Sequence, residues 1–118
     1  MKLEFKENMY YRAYSGYINK ITSIKDFNER EYLLNGFYIN KDTIKKASYN
    51  IIDILEVGDI LIDDTNRKLE ILLIDDELMV RNTGLIYDNN YYLPIKSIAI
   101  KLVITHEQME QRAYKVGE

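Results

Sequence analysis

The sequence predicts a mainly β fold (α+β): a small antiparallel curled sheet or partly open SH3-like barrel with a C-terminal α-helix. Three observations predict it. Isoleucine and tyrosine are used heavily, with eleven tyrosines in 118 residues, and both favour half-buried pleated surfaces. Turn signals recur about every eight to twelve residues, the spacing of short strands in small sheets and barrels. A capped helix with an apolar face at i, i+4, i+7 is read in the final segment.

The elements follow in chain order. Met9 to Ile24 alternates loosely around Gly16 and reads as a hairpin or bent strand, with Ser15-Gly16 as turn or bulge. Lys25 to Glu29 reads as a polar connection. Glu31 to Asn40 is a strand interrupted by Asn35-Gly36, a strong two-residue hairpin signal. Asp42 can cap a short helical turn from Thr43 to Ala47. Asn50 to Leu55 has near-helical spacing and suggests a turn of helix or a bent strand. Gly58 permits a backbone angle closed to other residues, and Asp59 can bond local backbone before the next strand.

From Asp59 the strand pattern sharpens. Ile60 and Ile62 share a face, and Asp63-Asp64-Thr65-Asn66 turns the chain. Leu69, Ile71 and Leu73 share a face of the next strand, while Leu72 and Ile74 make its other face apolar too. That reads as a strand covered on both sides. Asp75-Asp76 turns, Leu78 to Arg81 returns, and Asn82-Thr83-Gly84 turns again. Leu85 to Tyr87 is a short strand, followed by the turn Asp88-Asn89-Asn90. In Tyr91 to Ile95, Pro94 marks an edge position. Ile98, Ile100, Leu102 and Ile104 alternate with other residues as the best strand pattern in the chain. Thr105 then caps a helix, with Gln108 at capping-box spacing and Met109, Ala113 and Val116 on one face.

Length suggests one domain over 1–118. Hydrophobic residues make up 47% and charged residues 30% of the chain, the balance of a soluble globular protein. The absence of cysteine excludes disulfides and thiolate chemistry and fits a reducing cytoplasm. Met1 to Glu7 is charged and lacks the apolar stretch of a leader. No apolar run approaches the ~20 residues of a membrane span. Net charge is −3 but uneven: residues 1–50 hold nine basic and six acidic side chains, residues 51–118 seven and thirteen. An acidic chain is a poor candidate for nucleic-acid binding, which rests on Lys and Arg displacing counterions.

No residue constellation carries a recognisable reaction, so an enzyme is not expected and no cofactor is implied. His106, the only histidine, is expected exposed at a helix start. Without cysteine it cannot form a transition-metal site alone. The acidic groups Asp63-Asp64 and Asp75-Asp76-Glu77 belong to successive turns and should lie at opposite ends of their strands, too far apart to share a cation. They read instead as an acidic surface for a basic partner: Asp63, Asp64, Asp75, Asp76 and Glu77. Tyr10, Arg12 and Tyr14 form the other candidate, a stacking site for a nucleotide.

Two blocks stand out. The first is Ser48-Tyr49-Asn50-Ile51-Ile52-Asp53-Ile54-Leu55-Glu56-Val57-Gly58-Asp59. The second is Ile104-Thr105-His106-Glu107-Gln108-Met109-Glu110, running on to Tyr114-Lys115-Val116. Together they resemble a family of small proteins carried by phages and prophages of Gram-positive bacteria. Three departures occur: Ile54-Leu55 inverts one pair, Met109 replaces a phenylalanine, and His106 takes a position often held by lysine. The resemblance implies a phage or prophage origin and the bacterial cytoplasm, and carries no catalytic residues. The expected role is an accessory protein that antagonises host antiviral defence by binding a defence protein, in the manner of anti-CRISPR proteins. The alternatives are a sponge for a cyclic-nucleotide immune signal, or a structural or regulatory phage protein. Free sheet edges make a homo-oligomer plausible.

Overall fold

Strands dominate the computed structural model, which describes residues 5–83 and 92–112, the side chain of Arg112 excepted. They form three antiparallel sheets followed by one short helix, and no barrel closes among the described residues. The chain divides into two compact units, Met1–Ile54 and Leu55–Glu118.

Among the described residues, the first unit holds six strands. β1 (Tyr10–Ala13) pairs with β2 (Ile18–Lys20) across the expected turn, where Gly16 sits at φ +90°. β3 (Ile24–Asp26), β4 (Glu31–Leu34) and β5 (Phe37–Asn40) form a second sheet. β3 occupies part of the stretch that its polarity marked as a connection. Lys25 and Asp26 pair with Leu33 and Tyr32 through main-chain groups, which polar side chains do not obstruct. Asn35 (φ +51°) and Gly36 (φ +84°) make the tight turn between β4 and β5, opposite the pair Leu34 and Phe37. The Asn35 side chain adds long-range anchoring. Its Oδ1 accepts from Thr22 N at 2.7 Å and its Nδ2 donates to Lys20 O at 2.9 Å.

A 3-10 turn at Lys41–Thr43 leads into β6 (Ile44–Ser48), which pairs with β1. The expected helical turn over Thr43 to Ala47 is therefore replaced by a strand. Asn40, not Asp42, is the cap: its Oδ1 accepts from Asp42 N at 2.9 Å. The partner that makes 44–48 extended is β1, more than thirty residues earlier, and no local pattern announces it. Ile51–Ile54 is a 3-10 turn, as its spacing suggested. Tyr11, Ile21, Leu34 and Ile44 form the buried core, with Phe5, Met9, Ile24, Tyr32, Ile39 and Ala47 packed against it.

Among the described residues, the second unit carries one five-stranded sheet in the order β10-β9-β8-β7-β11, made of β7 (Ile60–Asp63), β8 (Lys68–Ile74), β9 (Glu77–Asn82), β10 (Tyr92–Pro94) and β11 (Ile100–Ile104). Registry places Leu61 opposite Leu69 and Ile71 opposite Val80, so these four fully buried side chains line one face. Each contributes about 1.5–3 kcal/mol by leaving water. Pro94 lies in the edge strand, as expected.

Two side-chain expectations fail. Leu73 is 56% exposed although Leu69 and Ile71 on its face are buried, because it lies near the hairpin end where the covered face runs out. Leu102 is equally exposed. The register between β11 and β7 shifts between Ile100 and Leu102, and such a bulge turns the following side chains to the other face. Leu85 to Tyr87, the turn Asp88-Asn89-Asn90, and Gly84, Tyr91, Ala113 and Val116 lie outside the described residues.

Helix α1 (His106–Arg112) closes the described chain. Its capping box is reciprocal: Gln108 N donates to Thr105 Oγ1 at 3.3 Å, and Thr105 N donates to Gln108 Oε1 at 3.2 Å. No helix among the described residues is long and apolar enough to cross a membrane.

Candidate functional sites

Within the second unit, the end of the first sequence block and the start of the helix in the second converge. Asp59 is fully buried, and its carboxylate joins them. Oδ2 accepts from Glu56 N at 2.8 Å, the local bond its position predicted, and Oδ1 accepts from His106 N at 3.0 Å across 47 residues. Gly58 completes the approach. Its φ is +94°, and a Cβ there would stand 3.4 Å from His106 Cβ. His106 is consequently half-buried rather than exposed. Its Nε2 lies 2.8 Å from Glu56 Oε1 and 3.1 Å from Glu107 Oε1. The three donor atoms lie within 4.8 Å of one another, a set able to hold a divalent cation. Sequence reasoning weighed only acids adjacent in the chain. The signal it lacked is the approach of Glu56 to His106 fifty residues away.

The acidic candidates separate into two kinds. Asp63 is only 1% exposed and cannot serve as partner-binding surface. It is the hub of its own turn: Oδ1 accepts from Thr65 N, Thr65 Oγ1 and Arg67 N, and Oδ2 accepts from Arg67 Nε at 2.7 Å. Burial pushes its carboxyl up, but the bonds from Arg67 and Thr65 outweigh that and bring it down to about 2. Asp64 is exposed beside it. At the other end of β8, Asp75 and Asp76 form the two-residue turn to β9, at φ +50° and +64°, with Glu77 next to them. All three are exposed, and no ion pair among the described residues engages their carboxylates. The two acidic groups thus lie at opposite ends of β8, as expected.

The nucleotide candidates do not form one site. Along β1 alternate side chains face opposite ways, so Tyr10 and Arg12 lie opposite Tyr11 and Ala13. Arg12 is completely buried, and its Nη1 donates to Ile54 O at 3.0 Å. It braces the end of the 3-10 turn and presents no guanidinium to a base or phosphate. Tyr10 is half-buried under the Lys20 ammonium, 5.8 Å from the ring centroid.

Tyr14 instead lines a cavity of about 500 Å³ with Tyr11 and Tyr17. Buried Tyr11 and half-buried Ala13 and Ile39 form its inner wall, and exposed Tyr14, Ser15, Tyr17, Asp42 and Thr43 form its mouth. Tyr14 N donates to Thr43 O at 2.9 Å, which holds Tyr14 beside the turn that carries Asp42. Tyr11 and Tyr17 meet edge to face at 6.0 Å. Burial, with Tyr17 adding to it, raises the Tyr11 hydroxyl above its ordinary range, so it stays neutral. Among the described residues, no Lys or Arg lines the cavity. Further aromatic surface lies on the β3-β4-β5 sheet, where Phe27, Phe37 and Tyr38 are exposed.

Comparison with protein-family models, with curated proteins and with solved structures gives no match.

Proposed function

We propose that the protein is a phage-encoded accessory binding protein of the bacterial cytoplasm that antagonises host antiviral defence by engaging a basic face of a defence protein. The observation that carries the binding part is the Asp75-Asp76-Glu77 tip. Three adjacent carboxylates stand exposed at the end of the longest hairpin of the second unit. Two of them hold left-handed backbone conformations that asparagine and glycine adopt more readily. Taken by itself, the first unit exposes Phe27, Phe37, Tyr38 and Tyr14, side chains of the kind protein interfaces use. The phage setting rests on the resemblance of the two blocks.

The nucleotide-sponge reading lacks comparable support. Arg12 is buried, and the tyrosine cavity presents a carboxylate where a phosphate needs cations. The test is capture of a purified candidate defence protein by the tagged chain, comparing wild type with the charge reversal Asp75→Lys, Asp76→Lys, Glu77→Lys. Stoichiometric binding by wild type that the reversed chain loses supports the reading. Binding indifferent to the reversal, or to salt between about 50 and 500 mM, rules out the acidic tip as the contact.

A further inference from the structure

We propose that the cavity of the first unit receives the guanidinium of an arginine side chain presented by a protein partner. Charge gives the sign of the ligand. Among the described residues, Asp42 stands exposed at the mouth, its carboxylate takes no hydrogen bond or ion pair, and no basic side chain shares the lining. An anion is repelled there; a cation finds an open partner.

The walls give its shape. Tyr11, Tyr14 and Tyr17 offer ring faces and edges around a largely apolar interior. Aromatic faces attract cations, and guanidinium more often than ammonium. A guanidinium is planar, weakly hydrated and able to stack on a ring while its N–H groups fork onto a carboxylate. Its three-carbon stem suits Ala13 and Ile39.

The site is also held before any ligand arrives. The Asn40 cap fixes the turn bearing Asp42, the Tyr14–Thr43 bond fixes Tyr14, and Tyr17 Oη accepts from Asn19 Nδ2 at 3.0 Å. Little ordering is left to oppose binding. The inference stands apart from the acidic tip, since every residue it uses belongs to residues 1–54 and every tip residue to 55–118.

The experiment is an NMR titration of the full chain with capped Gly-Arg-Gly peptide, watching the amides of Tyr14, Tyr17, Asp42 and Thr43. Capped Gly-Cit-Gly, with neutral citrulline, and free arginine are the controls. Asp42→Asn keeps the turn, because Asn40 is its cap. Tyr14 and Asp42 are exposed, so Tyr14→Ala and Asp42→Asn leave the core intact. The proposal expects saturable shifts with the arginine peptide and none with the citrulline peptide. It expects affinity about tenfold weaker in Asp42→Asn, the scale of one charge-assisted bond. Four outcomes overturn it: no shift at tens of millimolar peptide, equal shifts from arginine and citrulline, undiminished binding by Asp42→Asn, or free arginine binding more tightly than the peptide. The last would make the ligand a small molecule.

Discussion

Replacing Asp59 by alanine should unfold the second unit at much lower denaturant. The carboxylate is fully buried and accepts two main-chain N–H groups, Glu56 N at 2.8 Å and His106 N at 3.0 Å. Hydrogen bonds to a charged acceptor are worth about 1.5–3 kcal/mol each. Two of them give about 3–6 kcal/mol, and water entering the vacated space recovers part, leaving about 3 kcal/mol. That is a large share of the roughly 5–15 kcal/mol that holds a domain folded. With a urea slope of about 1.5 kcal/mol/M, the midpoint should fall by about 2 M at unchanged slope. Asp59→Asn keeps one acceptor and turns an amide NH₂ toward a donor, so its loss should be about half or more. Urea melts followed by far-ultraviolet circular dichroism give both values. A loss below about 1 kcal/mol for Asp59→Ala, or an Asp59→Asn protein as stable as wild type, would refute the idea that this carboxylate ties the two blocks together.

Asp63 supplies a pH signature. Its carboxyl sits at about 2, below an ordinary value of 3.8. A depressed folded value means that its stabilisation is complete above pH ~4 and lost as pH falls through ~2. Urea melts between pH 5 and 2 should show this loss in wild type and a flatter slope in Asp63→Asn; parallel slopes would contradict it. Asp76→Gly should raise stability by about 0.5–1 kcal/mol, because relief of the left-handed strain exceeds the added freedom of the unfolded chain. A lower midpoint would show that the aspartate carries a structural bond of its own. Thr105→Ala should cost about 1 kcal/mol through the lost cap, read as faster amide exchange at Gln108. Unchanged exchange there would contradict the reciprocal capping box.

The sequence disclosed most where physics is local. Asn35-Gly36 and Asp75-Asp76 made their turns because short polar residues and glycine tolerate positive φ. Thr105 and Gln108 capped their helix from three residues apart. Pro94 declared an edge because it cannot donate to a ladder. It disclosed least where a distant partner decides. β6 is extended because β1 pairs with it, and β3 is a strand because β4 offers main-chain partners. The Leu102 alternation was real, but the bulge that redirects it arises from register with β7. The candidate sites follow the same division. The exposed acidic tip was readable from Asp75 to Glu77. Asp63, in another Asp-Asp pair, turned inward because Thr65 and Arg67 fold back onto it. Arg12 looked like part of a nucleotide-stacking site until the carbonyl of Ile54, 42 residues on, claimed it. Asp42 drew attention as a cap, and only the proximity of Tyr14 makes it the mouth of a cavity.

The central claim, that this chain disarms a host defence through its acidic tip, is tested most directly by phage plating. The protein is expressed in bacterial strains that each carry one intact defence system and are challenged with a phage that system restricts. The account predicts that wild type restores plating on at least one strain by tenfold or more. The Asp75→Lys, Asp76→Lys, Glu77→Lys chain, expressed and folded to the same level, should not. No restoration on any strain, or equal restoration by the charge-reversed chain, would contradict it.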